Sequence, residues 1–212
     1  MFKKTSQNQS LSFHSLKSIS TNMFKASSSL TFLCSLFFVS AIGATPSSFL
    51  KSSCSTTTYP SVCVESLSAY ASTIQQDPHQ LVQTSLSLSL NTTLSTKAFV
   101  AKLNKFRGLK SKENQALHDC LEEIGDSVDR LSRSIKELKL CVKSKGQDFA
   151  WHISNVETWV SSAITDESTC TDGFAGKALN GRIKSSIRTR MLRVAQVTSN
   201  ALSLINHYAS KH

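Results

Sequence analysis

Between Lys112 and Leu140 the apolar residues recur in steps of four and three: Leu117, Leu121, Ile124, Val128, Leu131, Ile135 and Leu138. At 3.6 residues per turn these seven side chains share one stripe of a helix. A helix with such a stripe is marginal alone in water and must lay it against other helices. Burying each side chain contributes about 1.5–3 kcal/mol, so the stripe dominates the stability of the segment. The other side carries Asp119, Glu122, Glu123, Asp126, Asp129, Arg130, Arg133, Lys136 and Glu137. Glu122, Asp126 and Arg130 follow one another by a turn. This reads as a solvated charged face, worth roughly 0.2–0.5 kcal/mol per pair. A catalytic pair of carboxylates is the sharper reading, and the expected exposure of these acids argues against it.

Three further segments take the same form. Asn180 to His212 places Ile183, Ile187, Met191, Val194, Ala201, Ile205 and Tyr208 at helical spacing behind an Asn180-Gly181 turn signal. Phe149 to Thr165 places Ile153, Val156, Val160 and Ala163 on one face, with Trp151 and Trp159 beside it, and Asp172-Gly173 closes the segment as a turn. Lys143 to Gln147 reads as the linker before it. Pro78 to Lys112 is less regular, because Ser85 to Leu90 alternates as a strand would. A lone strand has no partner in this chain, so the segment is expected to be a helix that Gly108 ends. The numerous serines are expected in solvent-facing or linker positions. Four long helices with short polar connections describe an all-α, up-and-down antiparallel four-helix bundle over 78–212. Tyr59-Pro60 divides residues 47–77 into two short pieces, a small helical hairpin ahead of the bundle.

The first 44 residues differ from the rest. They hold Lys3, Lys4, Lys17 and Lys25 and no acid, then the uncharged run Leu30 to Ala44, which ends in small residues before Thr45-Pro46. Fifteen residues is short of the roughly 20 needed to span a bilayer, and the pattern is that of a secretory signal peptide. Met23 begins a more ordinary signal and is an alternative start. The expected mature chain is 45–212, with no membrane association after cleavage. Loss of those four lysines lowers the net charge from +10 to +6. A moderate positive charge suits a polyanion such as acidic wall polysaccharide, and export disfavours nucleic acid. Two basic clusters stand out, Lys97 to Lys112 and Arg182 to Arg193. The second is equally a solvated helix face, since Arg and Lys lie readily over apolar neighbours.

Export also sets the redox context. Cys54, Cys63, Cys120, Cys141 and Cys170 remain after Cys34 is lost with the signal. Five cysteines in an oxidising compartment imply two bridges and one spare thiol. Their number does not choose the pairing, although Cys54 and Cys63 are near enough to close a small loop. No cysteine or histidine spacing matches a zinc site, and no nucleophile elbow, phosphate loop or metal cluster is present, so neither catalytic residue nor cofactor is expected. Asn91-Thr92-Thr93 is an N-glycosylation sequon. A second, Asn8-Gln9-Ser10, precedes the signal core.

Three stretches together resemble the plant invertase and pectin methylesterase inhibitor family. They are Cys54 with Tyr59-Pro60 and Cys63; Asp119-Cys120-Leu121-Glu122 running on to Asp126-Ser127-Val128-Asp129-Arg130-Leu131; and Val156 to Ala163 followed by Thr169-Cys170-Thr171-Asp172-Gly173-Phe174. The resemblance covers about residues 47–209. It implies a hairpin-plus-bundle fold, bridges Cys54–Cys63 and Cys120–Cys170, and Cys141 as the free thiol. It implies a protein without chemistry of its own that blocks a carbohydrate-active enzyme stoichiometrically.

Pectin methylesterase is the favoured target. Invertase inhibitors of the family carry a Pro-Lys-Phe motif, and this chain has no proline after Pro78. Trp151 to Val156, followed by Thr158-Trp159, also sits closer to the methylesterase side. Acid invertase is the alternative target. A basic pectin-binding wall protein that inhibits nothing is the alternative from another class. Because many wall pectin methylesterases are basic, the acids Glu122, Glu123 and Asp126 are the expected partner-facing charges.

Overall fold

The structure, a computed structural model, describes residues 46–175 and 181–212. The leader read over 1–44, its alternative start at Met23, and Asn180 lie outside the described residues. Helices α1 (Pro46–Cys54) and α2 (Pro60–Leu67) form a hairpin. A 3-10 turn, Ser68–Tyr70, and the short α3 (Ala71–Ile74) lead on to four long helices. These are α4 (Pro78–Leu103), α5 (Ser111–Cys141), α6 (Gly146–Asp172) and α7 (Arg182–Ala209). Each long helix packs on the next, and α7 closes the ring against α4. The antiparallel sense of α5 and α6 is direct: the early Cys120 meets the late Cys170, and the late Glu137 meets the early His152.

Local chemistry sets the helix ends. Asp77 Oδ1 accepts from the amides of His79 and Gln80 at 2.8 and 3.3 Å, and Pro78 follows at the first helical position. At the start of α5 the Lys110 amide donates to Glu113 Oε2 at 3.0 Å. Helix α4 stops at Leu103, five residues before Gly108. The amides of Lys105 and Phe106 reach back only three residues, to Lys102 and Leu103, which tightens the end into a turn. Gly108, at φ 93°, then serves the connection to α5 rather than the helix end.

The buried seam of α5 is offset from the stripe read in the sequence. Leu117, Ile124, Leu131 and Leu138 are fully buried, but their companions are Cys120, Ser127, Ser134 and Cys141, while Leu121, Val128 and Ile135 lie half-buried at its edge. Steps of three and four leave two phases open for the second column. Small residues win because they let α6 approach closely, to 4.2 Å between the Cα atoms of Cys120 and Cys170.

Helix α4 does the same with hydroxyls. Its buried face runs Leu81, Val82, Ser85, Leu86, Ser89, Thr93, Thr96 and Val100. Ser85, Thr93 and Thr96 donate to carbonyls three or four residues back, at 2.8, 2.9 and 2.9 Å. A hydroxyl satisfied within its own helix can be buried as a small side chain. The expectation that the serines face solvent or lie in linkers is therefore corrected at Ser85, Ser89, Ser127 and Ser134, all buried.

The hairpin is clipped onto α7 by one buried amide. Asn200 Oδ1 accepts from the Tyr59 amide at 2.8 Å, and its Nδ2 donates to the Tyr59 carbonyl at 2.9 Å. Arg193 reaches from α7 to Glu65 and Ser66 on α2, at 3.0 Å each.

Candidate functional site

The apolar interior is divided in two. One cluster runs from Leu50 and Leu67 through Leu131, Leu138, Val160 and Ile205; the other gathers Val100, Leu117, Ile124, Phe174 and Met191. At mid-bundle each of the four long helices contributes one polar residue: Ser89, Ser127, Glu167 and Thr198. Ser127 Oγ and Thr198 Oγ1 each lie 3.0 Å from Glu167 Oε1, and Ser89 and Thr198 share a hydrogen bond of 2.7 Å. Glu167 is 1% exposed, and burial pushes its carboxyl up to about 7 against the pull of the two hydroxyls. Its Oε2 accepts no hydrogen bond among the described residues. It lines a groove of about 350 Å³ between α6 and α7, with Asp172, Arg188, Met191 and Leu192. A buried, hydrogen-bonded layer of this kind fixes which helix faces meet, because any other register leaves these groups unpaired.

This layer escaped the sequence reading, yet it left a signal. In α7 the apolar series passes from Val194 to Ala201, and Thr198 occupies the missing step. In α6 the series Ile153, Val156, Val160, Ala163 continues to Glu167 and Cys170. Polar residues at core phase on every helix are the mark of an interior polar layer.

Of the three acids read as partner-facing, Glu122 and Asp126 are exposed on α5 and Glu123 is half-buried. The carboxyl of Glu123 is raised by burial first, then by Asp166, Asp126 and Glu122, with Arg130 opposing. Arg130 Nε donates to Asp166 Oδ2 at 2.7 Å, joining α5 to α6 beside this face. The group therefore forms a negative patch with one arginine in it, not a uniformly solvated face. Lys97, from α4, lies over Gly125 in the same stretch, its Nζ 3.1 Å from where a Cβ would stand. His118, Asp119 and Glu122 bring ligand atoms within 4.8 Å of one another, but all three are exposed and Gln115 already donates to Asp119 at 2.6 Å. The arrangement is an ordinary charged helix surface.

At the far end of α5, Glu137 Oε1 meets His152 Nδ1 at 2.8 Å and accepts from Asn155 at 3.0 Å, and the histidine holds its carboxyl below the usual range. Trp151, the residue before His152 in the sequence, is 67% exposed. Cys54 is joined to Cys63 and Cys120 to Cys170; Cys141 is a free, buried thiol. Of the basic residues, Arg190 stacks over the Phe99 ring at 3.9 Å. Asn91 is exposed on α4. No described helix is long and apolar enough to cross a membrane.

Residues 48–204 match the family model for plant invertase/pectin methylesterase inhibitor. The chain is 53% identical over 186 residues to a 21 kDa protein of Daucus carota, covering 87% of this chain and 96% of that one. It is 50% identical over 165 residues to pectinesterase inhibitor 11 of Arabidopsis thaliana, covering 77% and 82%. The fold resembles the crystal structure of a mutant form of a pectin methylesterase inhibitor from Arabidopsis, with a TM-score of 0.59 and 18% identity over 72% of this chain and 92% of that one. A four-helix bundle with a hairpin in front, matched along nearly all its described length, thus belongs to the plant invertase/pectin methylesterase inhibitor family.

Proposed function

We propose that this chain is a proteinaceous inhibitor of pectin methylesterase, exported to the plant cell wall, that forms a one-to-one complex and covers the enzyme's substrate cleft. The observation that carries the reading is the 50% identity over 165 residues to a protein named pectinesterase inhibitor. The physics of the fold supports a plug rather than a catalyst. Glu167, at the floor of its groove, is 1% exposed, and its one hydrogen-bonded oxygen is held by Ser127 and Thr198 within the bundle. A bundle held by two disulfides loses little freedom when it docks, so more of the contact energy appears as affinity.

The exposed Glu122 and Asp126, with Glu123 behind them, meet the positive rim of a basic enzyme. The clusters Lys97 to Lys112 and Arg182 to Arg193 hold the protein on demethylated, acidic pectin. Mixing the mature protein with a plant pectin methylesterase and, separately, an acid invertase tests the reading. Methylesterase activity falls to near zero at a one-to-one ratio while invertase is unaffected. Loss of invertase activity alone assigns the other target, and loss of neither leaves a pectin-binding protein. Reversing Glu122, Glu123 and Asp126 to lysine weakens inhibition most at low salt; an inhibition constant indifferent to both salt and reversal removes the electrostatic part.

A further inference from the structure

The sequon Asn91-Thr92-Thr93 sits in the middle of α4 (Pro78–Leu103), whereas acceptors of this kind ordinarily lie in surface loops. Asn91 is exposed, but Thr93 is 0% exposed, and its hydroxyl donates to the Ser89 carbonyl at 2.9 Å. Residues two apart on an α-helix stand about 200° apart around its axis. The acceptor amide therefore faces solvent while the hydroxyl that a glycosyl transferase must also recognise faces the core. The folded helix cannot present both to one active site.

We infer that Asn91 is a modification site open only before α4 forms, and that its state then becomes permanent. The inference rests on the export proposed above, which supplies the glycosylating compartment. In the transfer, the Asn91 Nδ2 forms a bond to C1 of an oligosaccharide carried on a lipid pyrophosphate. The C1–O bond to the pyrophosphate breaks, the lipid pyrophosphate leaves, and one amide proton is lost to base. A chain modified in time carries its glycan at a groove of about 300 Å³ between α4 and α7, lined by Asn91, Ser95, Thr96, Arg190 and Arg193. The two arginines are held in place there, one on Phe99 and the other by Glu65 and Ser66. A glycan on Asn91 covers this part of the basic α7 surface. A chain that folds first keeps it bare for good. Folding rate thus sets the ratio of two forms that differ in their hold on acidic polysaccharide.

The test presents the full chain, made without glycan, to a purified oligosaccharyltransferase and a lipid-pyrophosphate oligosaccharide. One sample is folded and disulfide-bonded, and the other is freshly diluted from reductant and urea. Peptide mass spectrometry then reads Asn91 apart from Asn8. The unfolded sample gains one glycan at Asn91 and the folded sample less than a tenth as much; equal modification of the two overturns the inference. Both forms are then eluted by salt from polygalacturonate. The glycosylated form elutes at lower salt, and trimming to a single sugar with an endoglycosidase restores the elution of the bare form. Equal retention, including none in either form, overturns the masking. Inhibition of pectin methylesterase is measured on both forms; if neither inhibits, the proposed function fails while the transfer result stands.

Discussion

Glu167 makes the stability of this protein depend on pH in a way that can be worked out from its surroundings. Burial raises its carboxyl from an ordinary 4.5 to about 7. The folded state therefore binds this proton more tightly than the unfolded chain. The resulting stabilisation is fully present below pH 4.5 and is lost as pH rises to about 7. At about 1.36 kcal/mol per unit, the difference is on the order of 3 kcal/mol. For a domain of this size that is roughly 6–12 °C in melting temperature. Asp166, next to it on α6, adds to the rise and is itself raised by burial despite Arg130. Glu123 and Glu157 are raised too, so all three steepen the same trend; Glu137, lowered by His152, opposes it only in more acid solution. Glu167→Gln isolates the one group, because the amide oxygen still accepts from Ser127 and Thr198. Melting followed by circular dichroism at constant ionic strength from pH 4.5 to 8 should show the wild type losing stability through this range and the variant losing markedly less. A wild type whose melting temperature climbs from pH 5 to 7, or a variant with an unchanged slope, refutes the reasoning.

The two disulfides should contribute unequally, because they close loops of different length. By chain entropy the Cys120–Cys170 bridge, 50 residues apart, is worth about 4 kcal/mol and Cys54–Cys63, 9 apart, about 2.5 kcal/mol. Removing each pair by Cys→Ala and comparing urea midpoints should rank them in that order, and the reverse order would refute it. Cys141 should be inert: burial, then the Glu137 carboxylate, pushes its thiol up to about 11. At pH 8 an aromatic disulfide reagent should label the native thiol at least about a hundredfold more slowly than the urea-unfolded chain, and a fast phase on the native protein contradicts this.

Three of the four long helices were legible because each carries an apolar repeat near 3.6 residues that only a helix brings to one side; α4, whose buried face is half hydroxyls, was legible only because a lone strand would have had no partner. The hairpin break was legible because Tyr59-Pro60 interrupts the pattern. The interior was less so. The sequence places Leu117 and Ile124 inward without saying whether Leu121 and Val128 or Cys120 and Ser127 complete the seam. Hydropathy favours the leucine and valine; the close approach of α6 favours the small pair. Likewise Glu167 and Thr198 look like surface residues until the four helices meet around them.

What the chain's own order of residues settled is what each segment alone can satisfy: helix type, caps such as Asp77, and the need of each apolar stripe for a partner. What only the packed bundle decided is which phase of each helix points inward, and with it the mid-bundle polar layer, the half-burial of Glu123 and the choice of Thr93 rather than Asn91 to face the core. The reason is that periodicity constrains a helix about its own axis. Hydrogen-bond partners such as Ser127 for Glu167, 40 residues away, exist only once separate helices are brought together.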